Sequence, residues 1–224
     1  ILNMDLKDFF FFFSDMQVYN VFAGPDLGFD QDIATAFTLL TTYNRQLPTG
    51  APSSPVLSNL VCMGLDKALQ HCAVQMGYRY SRYADDLTFS SDERIMTEHV
   101  QQISAIISAH GFAVNTKKTR IVSHNRQQTV TGLVVNERVN VNRNTLKKVR
   151  AMIHDAVTNG RWEATRKHYR LVGQVDKVYV NQFLGCVEGY LGFIGQVRGL
   201  NDKVYLSLRE QFNGILDGGF RKAE

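Results

Sequence analysis

A chain of 224 residues, 44% of them hydrophobic and 11% aromatic, is too apolar to be disordered and long enough to bury one large or two small cores. Cys62, Cys72 and Cys186 lie far apart without a C-x-x-C spacing and imply neither a disulfide framework nor a zinc site, which points to a reducing cytoplasm; no apolar run of spanning length and no signal peptide is visible, so no membrane is expected. The net charge of +4 is uneven: residues 1–142 carry 11 Lys/Arg against 13 Asp/Glu, and residues 143–224 carry 14 against 8, a basic last third that either holds a polyanion or forms a solvated helical surface.

The chain begins at Ile1, without an initiator methionine and directly on an apolar run, and reads as a fragment whose upstream part is missing. Residues 2–6 are expected to form a buried strand. Ser14 or Asp15 can cap a short helix through Phe22, ended by Gly24-Pro25, and Asp30 or Asp32 a second helix to about Asn44. RQLPTGAPSSP, with three prolines and a glycine in eleven residues, excludes regular structure. Beyond Pro55, apolar residues recur at three and four (Leu57, Leu60, Val61, Leu65, Ala68, Leu69, Cys72), which predicts a helix stopped at Gly77. In YRYSRYADDLTFS, Tyr78, Tyr80 and Arg82 alternate with Arg79, Ser81 and Tyr83, and Leu87–Ser90 follows, a hairpin with both aspartates at its tip.

A helix over 94–110 stopped by Gly111, strands at 112–115 and 119–122, and a hairpin of VTGLVV and RVNV around Asn136-Glu137 complete the mixed part. From about Asn144 only helices are expected, at 144–159, 161–172, 178–197 and 202–216. In GCVEGYLGFIG, at 185–195, the glycines are expected to permit close helix packing. The order of elements predicts an α+β domain, an antiparallel sheet with helices on one face, over residues 1–142, followed by an all-helical domain over 143–224.

The candidate chemistry rests on Asp5, Asp85 and Asp86. Asp5 ends an apolar strand; Asp85 and Asp86 sit on a hairpin tip. If strand and hairpin are neighbours, three carboxylates converge, repel and raise one another's pKa. Mg²⁺, with Mn²⁺ as the alternative ion, resolves that repulsion, and two ions about 3.5–4 Å apart can activate a hydroxyl and stabilise a leaving pyrophosphate. Because successive residues point different ways on an extended chain, Asp85 is expected to pair with Asp5, with Asp86 more peripheral. The plain alternative is that Asp-Asp at a turn is ordinary hairpin chemistry.

YADD at 83–86 resembles the catalytic hairpin of reverse transcriptases, and NMDLKDFF the first catalytic motif of that family. LPTGAPSSPVLSNL at 47–60, GFAVNTKKTRIV at 111–122 and VTGLVVN at 130–136 resemble its following loop-helix, its next motif and its primer-grip hairpin. The five occur in family order over residues 2–142, and VTG with APSSP looks most like bacterial retron reverse transcriptases.

The resemblance implies a right-hand polymerase palm followed by a helical thumb, the fingers being largely absent. It implies an RNA-directed DNA polymerase that copies part of a structured noncoding RNA into DNA from dNTPs, with a partner effector protein encoded nearby and a role in antiviral defence. Asp5, Asp85 and Asp86, with the Leu6 carbonyl, would hold two Mg²⁺ ions, and Lys118 would lie near the pyrophosphate, its alternative being a surface lysine in a basic turn. Phe10 would exclude a 2′-hydroxyl, its alternative being a core ring. Thr49, Gly50 and Ala51 would contact nucleotide and template, although many relatives carry Gln where Thr49 stands. Thr131, Gly132 and Leu133 would form the primer grip. Lys147, Lys148, Arg150, Arg166, Lys167 and Arg170 would grip phosphates, and Tyr169 or Trp162 could stack on a base. The rival readings are a group II intron or diversity-generating reverse transcriptase, and a non-catalytic RNA-binding protein of palm fold.

Phe11 to Phe13 fall outside the motif, and Phe11 or Phe12 is expected to find burial under the palm or against the missing fingers.

Overall fold

Leu2, Met4 and Leu6 alternate along the first strand and are all buried. In the computed structural model, which describes residues 1–218, they make β1 (Leu2–Asp5) an inner strand of a four-stranded sheet. Its neighbours are β3 (Asp86–Ser90) and the short β4 (Arg120–Ile121), both antiparallel to it, and β2 (Arg79–Tyr83) closes the far edge beyond β3. The register opposes Leu2 to Phe89 and Met4 to Leu87, so one face is apolar, while Asn3 opposes Thr88 and Asp5 opposes Asp86 on the other.

Helices cover the apolar face. The α1 helix (Asp15–Ala23) starts in a capping box of Ser14 and Gln17, and α2 (Gln31–Thr41) is capped by Asp30. The helix expected from Pro55 to Gly77 is interrupted at Cys62 into α3 (Ser54–Val61) and α4 (Met63–Gln75). The α5 helix (Thr97–Ala109) packs on α4. Leu57, Leu65, Leu69, Ile103 and Ile107 from these helices join Leu2, Met4, Leu87 and Phe89 in one core.

The phenylalanine run corrects the expectation. Phe9–Phe12 forms a single 3-10 turn, and the rings that enter the core are Phe9 and the fully buried Phe13, in edge contact at 4.8 Å. Phe11 is 68% exposed, and Phe12 lies partly exposed over Phe112 at 4.9 Å. The turn explains this: it folds the chain back, so its first ring, Phe9, and the ring just after it, Phe13, face inward while Phe11 faces out.

The chain divides into two units, Ile1–Thr131 and the residues from Gly132 onward, earlier than the expected division after residue 142. Val141 belongs to the second core, and Val134 pairs with Asn140, which draws this stretch into the second unit. The expected hairpin around Asn136-Glu137 is present only as that antiparallel bridge, with both backbone hydrogen bonds at 2.8 Å, and VTGLVV holds a second turn not expected from the sequence. It is Thr131-Gly132, between β5 (Thr129–Val130) and β6 (Leu133–Val134), with φ of 47° and 84°, the positive pair of a tight hairpin turn. The strand expected at 112–115 is reduced to one bridge, Val114 to Leu6.

The second unit is helical. The α6 helix (Arg143–Tyr169) is broken at Gly160, followed by α7 (Lys177–Arg198) and α8 (Lys203–Leu216). Val149, Ile153, Phe183, Leu191, Ile194, Leu208 and Phe212 form its core. The glycines of α7 differ among themselves. A β-carbon on Gly195 would come within 2.7 Å of the Tyr205 ring, but one on Gly185, Gly189 or Gly192 would meet nothing within 4 Å, so close packing accounts for Gly195 alone.

Candidate active site

A two-residue turn, Ala84-Asp85, joins β2 to β3, and Tyr83 and Asp86 pair across it. Asp86 opens β3 directly opposite Asp5, both on the face away from the core, while Asp85 occupies the turn; this corrects the expectation that Asp85 pairs with Asp5 and Asp86 is the peripheral one, because the two-residue turn takes up Asp85 and leaves Asp86 as the first paired residue of β3. The amide of Leu6 donates to the Asp85 carbonyl at 2.9 Å, which docks the turn against the end of β1.

A third segment closes over Asp5. Lys7 donates to the Ala113 carbonyl and Asn115 to the Asp5 carbonyl, both at 2.8 Å, so residues 113–115 run alongside β1. The chain then turns, with the Lys118 and Thr119 amides donating to the Asn115 carbonyl. That turn brings Lys118 Nζ to 2.8 Å from Asp5 Oδ2 and Asn115 Nδ2 to 3.2 Å from Asp5 Oδ1. Asp5 is thus only 7% exposed yet doubly bonded.

The electrostatics agree with three acidic groups in one place. Partial burial, then the charges of Asp85 and Asp5, raise the Asp86 carboxyl above the usual range, with Lys118 opposing. The Lys118 ammonium is held above its ordinary value by its hydrogen bond to Asp5 first, and by the charges of Asp5, Asp85 and Asp86. Among the described residues no three His, Cys, Asp or Glu side chains form a ready-made ion cluster. The donor chemistry nonetheless suits a hard divalent cation, because mutually repelling carboxylate oxygens at a partly desolvated strand end are the ligands such an ion takes.

Two sets of residues escaped the sequence reading. Asn115 has only its place in GFAVNTKKTRIV to mark it. Arg82, with Asp66, Asn59 and Tyr80, lies under the hairpin on the core face. The Arg82 side chain is 4% exposed and forks onto Asp66, Nε to Oδ1 at 2.8 Å and Nη2 to Oδ2 at 2.6 Å. Burial and a 2.7 Å hydrogen bond to Asp66 push the Tyr80 hydroxyl up, keeping it a donor. The alternation of Tyr78, Tyr80 and Arg82 was the available signal: an arginine on an inward face requires a buried acid.

The other predicted residues of the site are placed by their own surroundings. Phe10 is half-buried, edge-on to Phe9 at 5.2 Å. Thr49 and Gly50 are exposed and Ala51 half-buried in the loop before α3, where Ser54 Oγ donates to the Pro48 carbonyl at 2.6 Å; among the described residues no hydrogen bond joins this loop to the acids. Thr131 and Gly132 are exposed and Leu133 half-buried.

In the helical unit all six basic candidates are exposed. Lys148 donates to the Tyr190 hydroxyl at 2.7 Å, Arg166 pairs with Glu163 and Lys167 with Asp155. Lys147, Arg150 and Arg170 form no ion pair among the described residues. Trp162 is exposed and Tyr169 half-buried. No described helix is long and apolar enough to cross a membrane.

Comparison with known proteins now bears on this geometry. A model of the family described as reverse transcriptase (RNA-dependent DNA polymerase) matches residues 18–159. The chain is 41% identical over 156 residues to the retron Ec86 reverse transcriptase of Escherichia coli, covering 69% of this chain and 48% of that protein. It is 34% identical over 187 residues to the retron Mx65 reverse transcriptase of Myxococcus xanthus, covering 75% and 43%. The chain spans about half the length of the curated relatives it matches. The fold matches a telomerase of Candida albicans, solved with a fragment of telomeric RNA, with a TM-score of 0.50 at 11% identity, over all of this chain and 49% of that one. With its YADD hairpin set against Asp5 on an antiparallel sheet, the chain belongs to the reverse transcriptase family.

Proposed function

We propose that this chain is the catalytic portion of an RNA-directed DNA polymerase of retron type, with the sheet unit as palm and the helical unit as thumb. The observation that carries the reading is Asp5 facing Asp86 across β1 and β3, with Asp85 in the turn between. The identities to two retron enzymes favour this lineage over intron or diversity-generating relatives.

Asp5, Asp85 and Asp86, with the Leu6 carbonyl, would hold two Mg²⁺ ions, or Mn²⁺ in their place. Bound there, the ions would lower the cost of a primer 3′-hydroxyl attacking the innermost phosphate of a dNTP and of pyrophosphate leaving. Lys118 carries its proton firmly and can turn from Asp5 to offset charge on the departing pyrophosphate or donate to it. Phe10 would stand beneath the sugar and leave no room for a 2′-hydroxyl, while Thr49, Gly50 and Ala51 would border the nucleotide and template. Thr131, Gly132 and Leu133 offer a nearly bare backbone turn for the primer end.

Lys147, Arg150 and Arg170 would bind phosphates most readily, since Lys148, Arg166 and Lys167 must first release internal partners. The template would be a structured noncoding RNA that also supplies the primer, the setting the cytoplasm, and an effector protein the partner in antiviral defence.

The test is to supply the full-length protein with the RNA encoded beside its gene, dNTPs and Mg²⁺. The expected result is DNA joined to RNA, absent with the Asp85→Asn, Asp86→Asn double variant. No product from the unaltered protein refutes the reading.

A further inference from the structure

We infer that Arg82 is a positioning residue for the carboxylate hairpin, locking the Ala84-Asp85 turn to the helices beneath the sheet through Asp66; the inference rests on the polymerase reading for its kinetic consequence. The turn needs such a lock. Ala84 has a φ of 51°, in the left-handed region where a β-carbon crowds the neighbouring carbonyl oxygen. Asp85 is not among the positive-φ residues, so only the first turn position is positive, the sign pattern of a hairpin turn that ordinarily carries glycine there. An alanine turn of this kind persists only where its surroundings impose it.

Both carbonyls of the turn are held, from different sides. Leu6 N holds the Asp85 carbonyl from β1 at 2.9 Å, and Arg82 Nη1 holds the Ala84 carbonyl from below at 3.1 Å. Arg82 is itself fixed by more than the strand it sits on. Its fork engages both oxygens of Asp66 on α4, and Nη1 also reaches Asn59 Oδ1 on α3 at 3.1 Å. Tyr80 donates to Asp66 Oδ1, fixing the acid in turn. The guanidinium carbon lies 5.9 Å from the centre of the buried Phe9 ring, a second contact beneath the sheet.

Position, rather than charge, is what Arg82 contributes. In the register Arg82 opposes Leu87 and so lies on the core face, whereas Asp86 and Asp5 lie on the other. Its charge is matched by Asp66, and the groups that act on the Asp86 carboxyl are Asp85, Asp5 and Lys118. A planar fork is required, since one guanidinium must reach two oxygens of Asp66, the Asn59 amide and the Ala84 carbonyl together, which an ammonium cannot do.

The experiment uses the full-length protein and three variants, Arg82→Lys, Asp66→Asn and Arg82→Lys combined with Ala84→Gly. Steady-state primer extension in Mg²⁺ is read as kcat and as KM for dNTP, and Mn²⁺ binding is read by electron paramagnetic resonance without nucleic acid. Arg82→Lys and Asp66→Asn should each lower kcat roughly 10–100-fold, with KM for dNTP within about threefold, and weaken Mn²⁺ binding several-fold, as loss of groups that orient metal-binding side chains does. Glycine at 84 takes a positive φ without strain, so the combined variant should recover several-fold of the kcat lost in Arg82→Lys.

Unaltered kcat and Mn²⁺ affinity in Arg82→Lys overturn the inference, as does a loss carried wholly by KM or a combined variant no better than Arg82→Lys alone. If Arg82→Lys does not fold, Asp66→Asn decides by the same two readouts. If the unaltered protein makes no DNA, the polymerase reading fails and Mn²⁺ affinity alone decides the role of Arg82.

Discussion

Alanine in place of Gly195 and of Gly189 adds the same methyl group to the same helix, α7, and should move stability in opposite directions. In a helix interior alanine is favoured over glycine by about 0.8–1 kcal/mol. At Gly189 the added carbon meets nothing within 4 Å, so the helix gains about that amount. At Gly195 the carbon would lie 2.7 Å from Tyr205 Cε2, 3.0 Å from Cζ and 3.2 Å from Leu200 Cδ2. The Tyr205 ring cannot swing away freely, because it is buried in the core and its hydroxyl accepts from Arg209 Nε at 3.3 Å. Relief therefore requires α8 to shift, at a cost near the upper end of the usual ~1–3 kcal/mol for overpacking.

After the propensity gain, Gly195→Ala should lose about 2 kcal/mol, which opens a gap of about 3 kcal/mol between the two variants. Native-state hydrogen exchange on peptides from α7 and α8 of the full-length protein reads this unit by itself. Protection should fall in Gly195→Ala and rise in Gly189→Ala. Movement in the same direction, or unchanged protection in Gly195→Ala, would show that the close approach to Tyr205 does not limit the packing.

Phe13→Ala should cost about 3–5 kcal/mol by urea denaturation, since the ring is fully buried against Phe9 and Phe112, whereas Phe11→Ser should stay within about 0.5 kcal/mol. Asp86→Asn removes a like charge directly opposite Asp5, so without divalent ions it should raise the melting temperature modestly, by the equivalent of about 0.2–1 kcal/mol, while abolishing DNA synthesis. Asp202 caps α8 and is held down to about 2, chiefly by its hydrogen bonds from Arg198. A depressed carboxyl stabilises above its unfolded pKa and loses that contribution as pH falls through its folded one. The cost of Asp202→Ala, about 1–2 kcal/mol at pH 7, should therefore shrink between about pH 4 and pH 2 in parallel urea titrations.

Local chemistry was the legible part of the fold. Ser14 and Asp30 marked helix starts because a cap needs only neighbours in sequence, and Gly160 marked a break because its backbone leaves the helical region. Asp5 and the YADD tip were legible because an acid at the end of an apolar strand has few other uses. The Arg82–Asp66 fork was hidden, since it joins a strand to a helix sixteen positions back and depends on which face of β2 is inward. Asn115 was hidden for the same reason at greater range. The Thr131-Gly132 turn was misread because a β-branched threonine argues against positive φ. Burial was expected at Phe11 or Phe12 rather than at Phe13 because a single 3-10 turn breaks both the strand and the helix period.

The inner position of β1 has a consequence for the order in which the protein can be made. Its partners arrive late: β3 begins at Asp86, and the β4 side is supplied by residues 113–121. At ~5–20 residues per second, β3 follows β1 from the ribosome on the order of 10 s later, and the β4 segment a few seconds after that. During that interval an apolar strand with two bare edges and five successive phenylalanines has no native partner, the state most prone to pairing with another nascent chain. Asp86 can face Asp5 as soon as β3 pairs with β1, but Lys118 and Asn115 join Asp5 only when the last of these segments is in place, so the acids meet before their cationic and amide partners arrive.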